Sequence, residues 1–171
     1  MDKTKLKDFA NKIREDVLYT EKGHFESARL WRMYNYVLML VSIITVIISL
    51  LFTFSDCDKF ILGLIASTSA FVTILLIFLN PQEKYLSHYN SATRFLGLRN
   101  KIDFFLDIQM NNTDDLELLE KRLNKLVKKK NNINKASLPI SRDGYEKAKN
   151  LIEKEKTAQY EVEKRRENES K

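Results

Sequence analysis

Few residues of this chain are suited to chemistry. Its 171 residues include two histidines, one cysteine and four glycines. Hydrolysis or group transfer needs a nucleophile, a base and an orienting partner, or else a metal. His24 and His88 lie in separate amphipathic segments, on either side of a long apolar stretch. Both are several residues from it, so the two could meet at its edge; as interfacial polar residues they need no catalytic role. Cys57 is the only cysteine, so no intrachain disulfide forms, and without a His/Cys cluster a zinc site lacks its ligands. Four glycines make no phosphate-binding loop. The carboxylates are spread along solvated helix faces. The expectation is a protein that is not an enzyme, with no cofactor, no metal and no direct nucleic-acid binding.

The element that must organise everything else is the apolar stretch. Residues 36–54 and 60–79 form two runs without a charge, separated only by Ser55-Asp56-Cys57-Asp58-Lys59. A bilayer core is about 30 Å thick and a helix rises about 1.5 Å per residue, so each run can span once. In hydrocarbon every backbone amide needs an internal partner, which makes each run helical. A connection of this length allows only an antiparallel turn. The alternative is a buried hairpin in a soluble bundle, but such helices carry a polar side, and these carry little beyond Ser and Thr. The start near residue 36 is too deep for a cleaved signal peptide. The fold class is therefore all-α: an integral membrane protein with a two-helix transmembrane hairpin and a cytoplasmic helical bundle.

Charge sets the orientation. Of the net +6, residues 1–35 carry about +2, the turn about −1 and residues 80–171 about +5. Arg29 and Arg32 precede the first span, and Lys84, Arg94, Arg99 and Lys101 follow the second. Counted near the span ends, these cations put both termini in the cytoplasm and the turn outside. Trp31, Tyr34 and Tyr36 sit at belt level.

Four regions follow. Residues 1–35 comprise a helix to Thr20, with Leu6, Phe9, Ile13 and Val17 on one face, and a second helix capped by Thr20 that leads into the span. Residues 36–79 are the hairpin. Residues 80–153 are a cytoplasmic helical region, and 154–171 are a charged, frayed tail. Asn80-Pro81-Gln82-Glu83 reads as a helix start, with Asn as cap, Pro at the first position and Glu at the third. The helix from Pro81 to about Met110 buries Leu86, Tyr89, Phe95, Leu96, Ile102, Phe105 and Leu106, and Gly97 marks a close contact. Thr113 caps a further helix ending at Lys128-Lys129-Lys130, and residues 131–144 form a linker. The lysine run reads either as an anion-binding patch or as cations favoured at a helix C-terminus.

Within the spans, Ser42, Thr45, Ser49 and Thr53 recur at steps of three or four. Gly63, Ala66, Ser67 and Ala70 give the second span a small face with small-xxx-small spacing. Two readings stand: close packing of helices, or lining of a water path in an oligomer.

The order Phe78-Leu79-Asn80-Pro81-Gln82-Glu83-Lys84, His88-Tyr89, Arg94 and Leu98-Arg99, followed by Leu138-Pro139-Ile140 and Tyr145-Glu146-Lys147-Ala148, resembles the SLATT domain. This is the SMODS- and SLOG-associating two-transmembrane effector domain of bacterial conflict systems. The similarity covers roughly residues 5–155. It implies an anti-phage effector that oligomerises into a signal-gated pore and kills or arrests the cell. The implied partners are the lipid bilayer, further copies of the chain, and a nucleotide second messenger or an adjacent cyclase, nucleotide sensor or reverse transcriptase. It also implies a coupling segment of Asn80, Pro81, Glu83, His88 and Arg94. A membrane-anchored scaffold that recruits a cytosolic signalling partner is the alternative.

Overall fold

The computed structural model describes residues 2–54 and 58–154. The first three residues of the expected turn, 55–57, and the tail beyond Lys154 lie outside the described residues. All regular structure among the described residues is helical: α1 (Lys3–Thr53), α2 (Lys59–Leu79), α3 (Pro81–Phe104), a π-helical turn (Phe105–Gln109), α4 (Met110–Asn112), α5 (Leu116–Ala136) and α6 (Arg142–Glu153). The chain divides into two compact units. One comprises residues up to Ser27 together with those from His88 onward; the other is Ala28–Ser87.

In the first unit the core follows helical spacing. Leu6, Ala10, Ile13 and Val17 of α1 pack with Phe95, Leu98 and Ile102 of α3, and with Leu119, Leu123 and Ile133 of α5. Phe9 falls off this stripe and is 45% exposed, so Ala10 takes the place expected for it. On α3 the expected Leu86 and Tyr89 are likewise exposed. Phe95 and Ile102 are buried as expected, and His88, Ser91, Ala92, Leu98 and Arg99 complete that face. The π turn has a local reason. Phe105 and Met110 are both buried although five residues apart, and the Met110 N–H donates to the Phe105 carbonyl. Continued α-geometry would bring Gln109 to the core in place of Met110.

Three boundaries differ from expectation. α1 does not break at Thr20, whose hydroxyl donates to the Asp16 carbonyl at 2.7 Å and so serves the running helix rather than capping a new one. α5 begins later: Asp115 is the cap, its carboxylate accepting from Leu118 N at 3.0 Å, and Thr113 accepts from Asp115 N at 3.2 Å. α5 also runs on to Ala136, so Lys128-Lys129-Lys130 lies inside the helix and the connection shrinks to residues 137–141. No Gly or Pro stands between Asp115 and Ala136 to stop it. Ser141 then caps α6, accepting from Gly144 N at 3.1 Å.

In the second unit, partly covered positions recur at three and four along both spans. They are Trp31, Asn35, Leu38, Ser42, Thr45 and Ser49 on α1, and Leu62, Ile65, Ser69, Val72 and Leu76 on α2. Of these Val72 is buried; Ile48, Leu75 and Leu79 are half-covered as well, and most other positions of the two runs are apolar and exposed. None of the apolar window of Lys3–Thr53 and 6% of that of Lys59–Asn112 is buried. A core helix of a soluble bundle would be mostly covered, so these are two helices long and apolar enough to cross a membrane. Asp58 caps α2 through Phe60 N at 2.9 Å.

Candidate functional site

Asn80 joins α2 to α3. It closes α2 in the left-handed conformation (φ 42°), and its N–H donates to the Leu76 carbonyl at 3.1 Å. Its side chain serves the following helix, with Oδ1 accepting from Glu83 N and Nδ2 donating to the Glu83 carboxylate. Asn is among the few residues that enter this region at small cost. Pro81, buried, has no N–H to lose at the first helical position. One turn on, Lys84 Nζ lies 4.3 Å from the centre of the Trp31 ring, and Asn35 donates to Gln82 at 3.3 Å. Thus Asn80, Pro81 and Glu83 form one local cap between α2 and α3.

His88 stands elsewhere, in a buried polar seam of the first unit. Among the described residues the buried polar and charged side chains are Glu21, His24, Ser27, His88, Ser91 and Arg99. Glu21, His24 and Ser27 are three apart on α1; His88, Ser91 and Arg99 share one face of α3. The two histidines meet, with Nδ1 to Nδ1 at 3.0 Å. One ring must therefore carry its proton on Nδ1 and the other on Nε2. Phe95 stacks on His24 with centroids 5.7 Å apart. Burial pushes the His24 pKa down to about 4, helped by the neighbouring His88, and burial also lowers His88. Glu21 and Arg99 form an ion pair at 3.3 Å. Burial raises the Glu21 pKa, against the pull of Arg99 and Lys22.

The seam narrows where α6 meets α1. Ser27 and Ser141 hydroxyls are 3.2 Å apart. A Cβ on Gly144 would stand 2.3 Å from Ser27 Oγ and 3.1 Å from the Gly23 carbonyl, while one on Gly23 would meet Ile140 at 3.0 Å. Gly23 and Gly144 are the close approaches that sequence reasoning missed. At Gly97, where a close contact was expected, a Cβ would meet nothing within 4 Å. The signal at Gly23 was present, a glycine interrupting an amphipathic helix. Arg94 is exposed on another face of α3 and takes no part in the seam.

Along the hairpin, Ser42, Thr45 and Ser49 are half-covered. Ser49, Thr53, Ala66 and Ala70, with Ser69 and Thr73, line a cleft of about 540 Å³ between the spans. Gly63 and Ser67 are exposed, and nothing lies within 4 Å of a Cβ at Gly63. The threonine hydroxyls bond back to their own helices: Thr45 to the Val41 and Ser42 carbonyls, Thr53 to Ser49, and Thr73 to Ser69. Ser49 Oγ is fully covered and makes no hydrogen bond among the described residues.

Chemically, the seam offers paired imidazoles and an ion pair but no nucleophile activated by a base. No group of three His, Cys, Asp or Glu side chains gathers to hold a metal among the described residues. The arrangement can hold or release protons and resist helix displacement.

A family model described as SMODS and SLOG-associating 2TM effector domain family 4 matches residues 6–163. No curated protein and no solved structure matches the chain.

Proposed function

The chain belongs to SMODS and SLOG-associating 2TM effector domain family 4, and from that premise we propose that it is a membrane effector of an anti-phage conflict system that oligomerises into a signal-gated pore. The observation that carries this reading is the hairpin itself. Its two apolar helices are left uncovered by the other described residues, yet they hold between them a cleft edged with hydroxyls. Two helices cannot surround a water path, so the pore needs several copies. The exposed Gly63 and Ser67 offer a small-residue surface for the neighbouring copy. At rest the apolar walls keep the path dewetted. Both termini lie in the cytoplasm, as the flanking cations dictate.

Gating follows from chain continuity. α1 contributes to the core of one unit and to the first span; α3 starts at the Asn80-Pro81 cap and carries the buried seam. A signal on the cytoplasmic helices that favours a second arrangement of the seam moves α3, and Asn80-Pro81 passes that shift to the second span. The signal acts only to the extent that it binds the open arrangement more tightly. A nucleotide second messenger, or an adjacent cyclase, nucleotide sensor or reverse transcriptase, supplies it. The satisfied threonine hydroxyls favour the second reading, a scaffold whose hairpin only anchors it. Expression with the genomic neighbours, followed by dye entry and membrane potential on activation, tests the pore. Depolarisation must precede growth arrest; arrest with intact, polarised membranes refutes it.

A further inference from the structure

Two clefts of the first unit differ in charge. The larger, about 740 Å³, sets Lys12, Lys130 and Lys149 against Glu15, Asp16 and Glu153. Its charges are balanced, and Lys130 is paired with Asp16. The smaller, about 480 Å³, lies between α3 and α5 and is lined by Arg94, Gly97, Lys101, Lys129, Asn132 and Ile133. Its lining carries three cations and no carboxylate.

The imbalance extends along the stretches of α3 and α5 that form the cleft. Residues 84–102 and 121–142 contain no Asp or Glu at all. Elsewhere in the unit cations meet carboxylates: Lys3 meets Asp114, Arg14 meets Asp103, and Arg99 meets Glu21. In the cleft Lys101 and Lys129 meet each other, and the Lys129 pKa is lowered, first by its contact with Lys101 and then by burial and the charge of Lys101. Two ammonium groups side by side repel unless an anion lies between them. Arg94, Gly97 and Lys101 share one face of α3, and Gly97 leaves the space between the two cations open. Ile133 provides a buried apolar floor and Asn132 a neutral amide.

We propose that the α3–α5 cleft binds a phosphate-bearing anion, with the Arg94 guanidinium gripping two oxygens and Lys101 and Lys129 neutralising its charge. The phosphate belongs either to a soluble phosphorylated molecule or to an anionic lipid headgroup. This deepens the gating reading by naming the chemistry of the signal. Binding is measured without conductance, so either idea can fail alone.

The full chain is placed in phosphatidylcholine nanodiscs and its lysines are acylated with an amine-reactive reagent, at matched ionic strength, with and without inorganic pyrophosphate. Site-resolved mass spectrometry gives the rates. A bound anion raises the ammonium pKa, and half a unit slows acylation about threefold. Lys101 and Lys129 are expected to slow by at least that much while Lys5 and Lys7 do not. Slowing in phosphatidylglycerol discs without pyrophosphate identifies a headgroup; slowing with pyrophosphate alone identifies a soluble ligand. Arg94→Gln, and Gly97→Leu, which fills the cleft without altering its charge, should each abolish the effect. Unchanged rates under both conditions, or equal slowing in both variants, would overturn the proposal.

Discussion

The His24–His88 contact has a direct consequence for pH dependence. Both imidazoles are held below their ordinary value of about 6.5, with His24 near 4. A depressed histidine binds its proton less readily in the folded state than in the unfolded one. Its favourable contribution is therefore complete above about pH 6.5 and is lost as pH falls toward 4. We expect thermal stability in detergent to fall by roughly 2 kcal/mol across that window. Glu21, whose pKa is raised, works in the opposite sense near its own titration, so the comparison is made against His24→Gln/His88→Gln, which should flatten the fall. An unchanged pH profile in that variant would remove the pair from the account. The meeting of the histidines was legible, because both lie a few residues outside the spans on connected helices. The Glu21–Arg99 pair was not. Residues 78 apart show no pairing signal in a single sequence, and both look like ordinary surface charge.

Among elements, the approach of α6 to α1 is the most exacting. Gly144→Ala must displace Ser27 Oγ and press on the Gly23 carbonyl, and should cost about 1–3 kcal/mol. Adding Ser27→Ala relieves the closest contact and should restore part of that loss, a coupling that a double-mutant cycle by thermal melting would read. Gly97→Ala, in open space, should leave stability equal or raise it by about 1 kcal/mol. Equal losses at Gly144 and Gly97 would contradict the packing described. Helix types and the break at Asn80-Pro81 were legible, since a capping Asn, a Pro and a Glu act locally. The joining of two helices into α1, the π turn and the length of α5 were not. Each is decided by what the helix packs against: Met110 reaches the core only through the π turn, and Ile133 holds the end of α5 in place.

At the scale of the molecule, two apolar segments left uncovered among the described residues belong to a chain that buries a conventional core formed by the start of α1 with α3 and α5. That contrast was readable from charge-free runs of spanning length. Which face of each span meets its partner was not, because a hydroxyl stripe and a small-residue stripe look alike whether they pack within the hairpin or between copies. In the hairpin, Ser42, Thr45 and Ser49 are half-covered, Ser49, Thr53, Ala66 and Ala70 edge one cleft between the spans, and Gly63 and Ser67 stay exposed, so neither stripe keeps to one surface along its length. The most direct test exchanges residues 36–79 for an unrelated two-span hairpin of equal length and orientation. Membrane potential and growth are then followed after activation beside the genomic neighbours. A pore predicts that the exchanged protein still inserts but neither depolarises the membrane nor arrests growth. Full toxicity from the exchanged hairpin would contradict it and leave the native hairpin as an anchor.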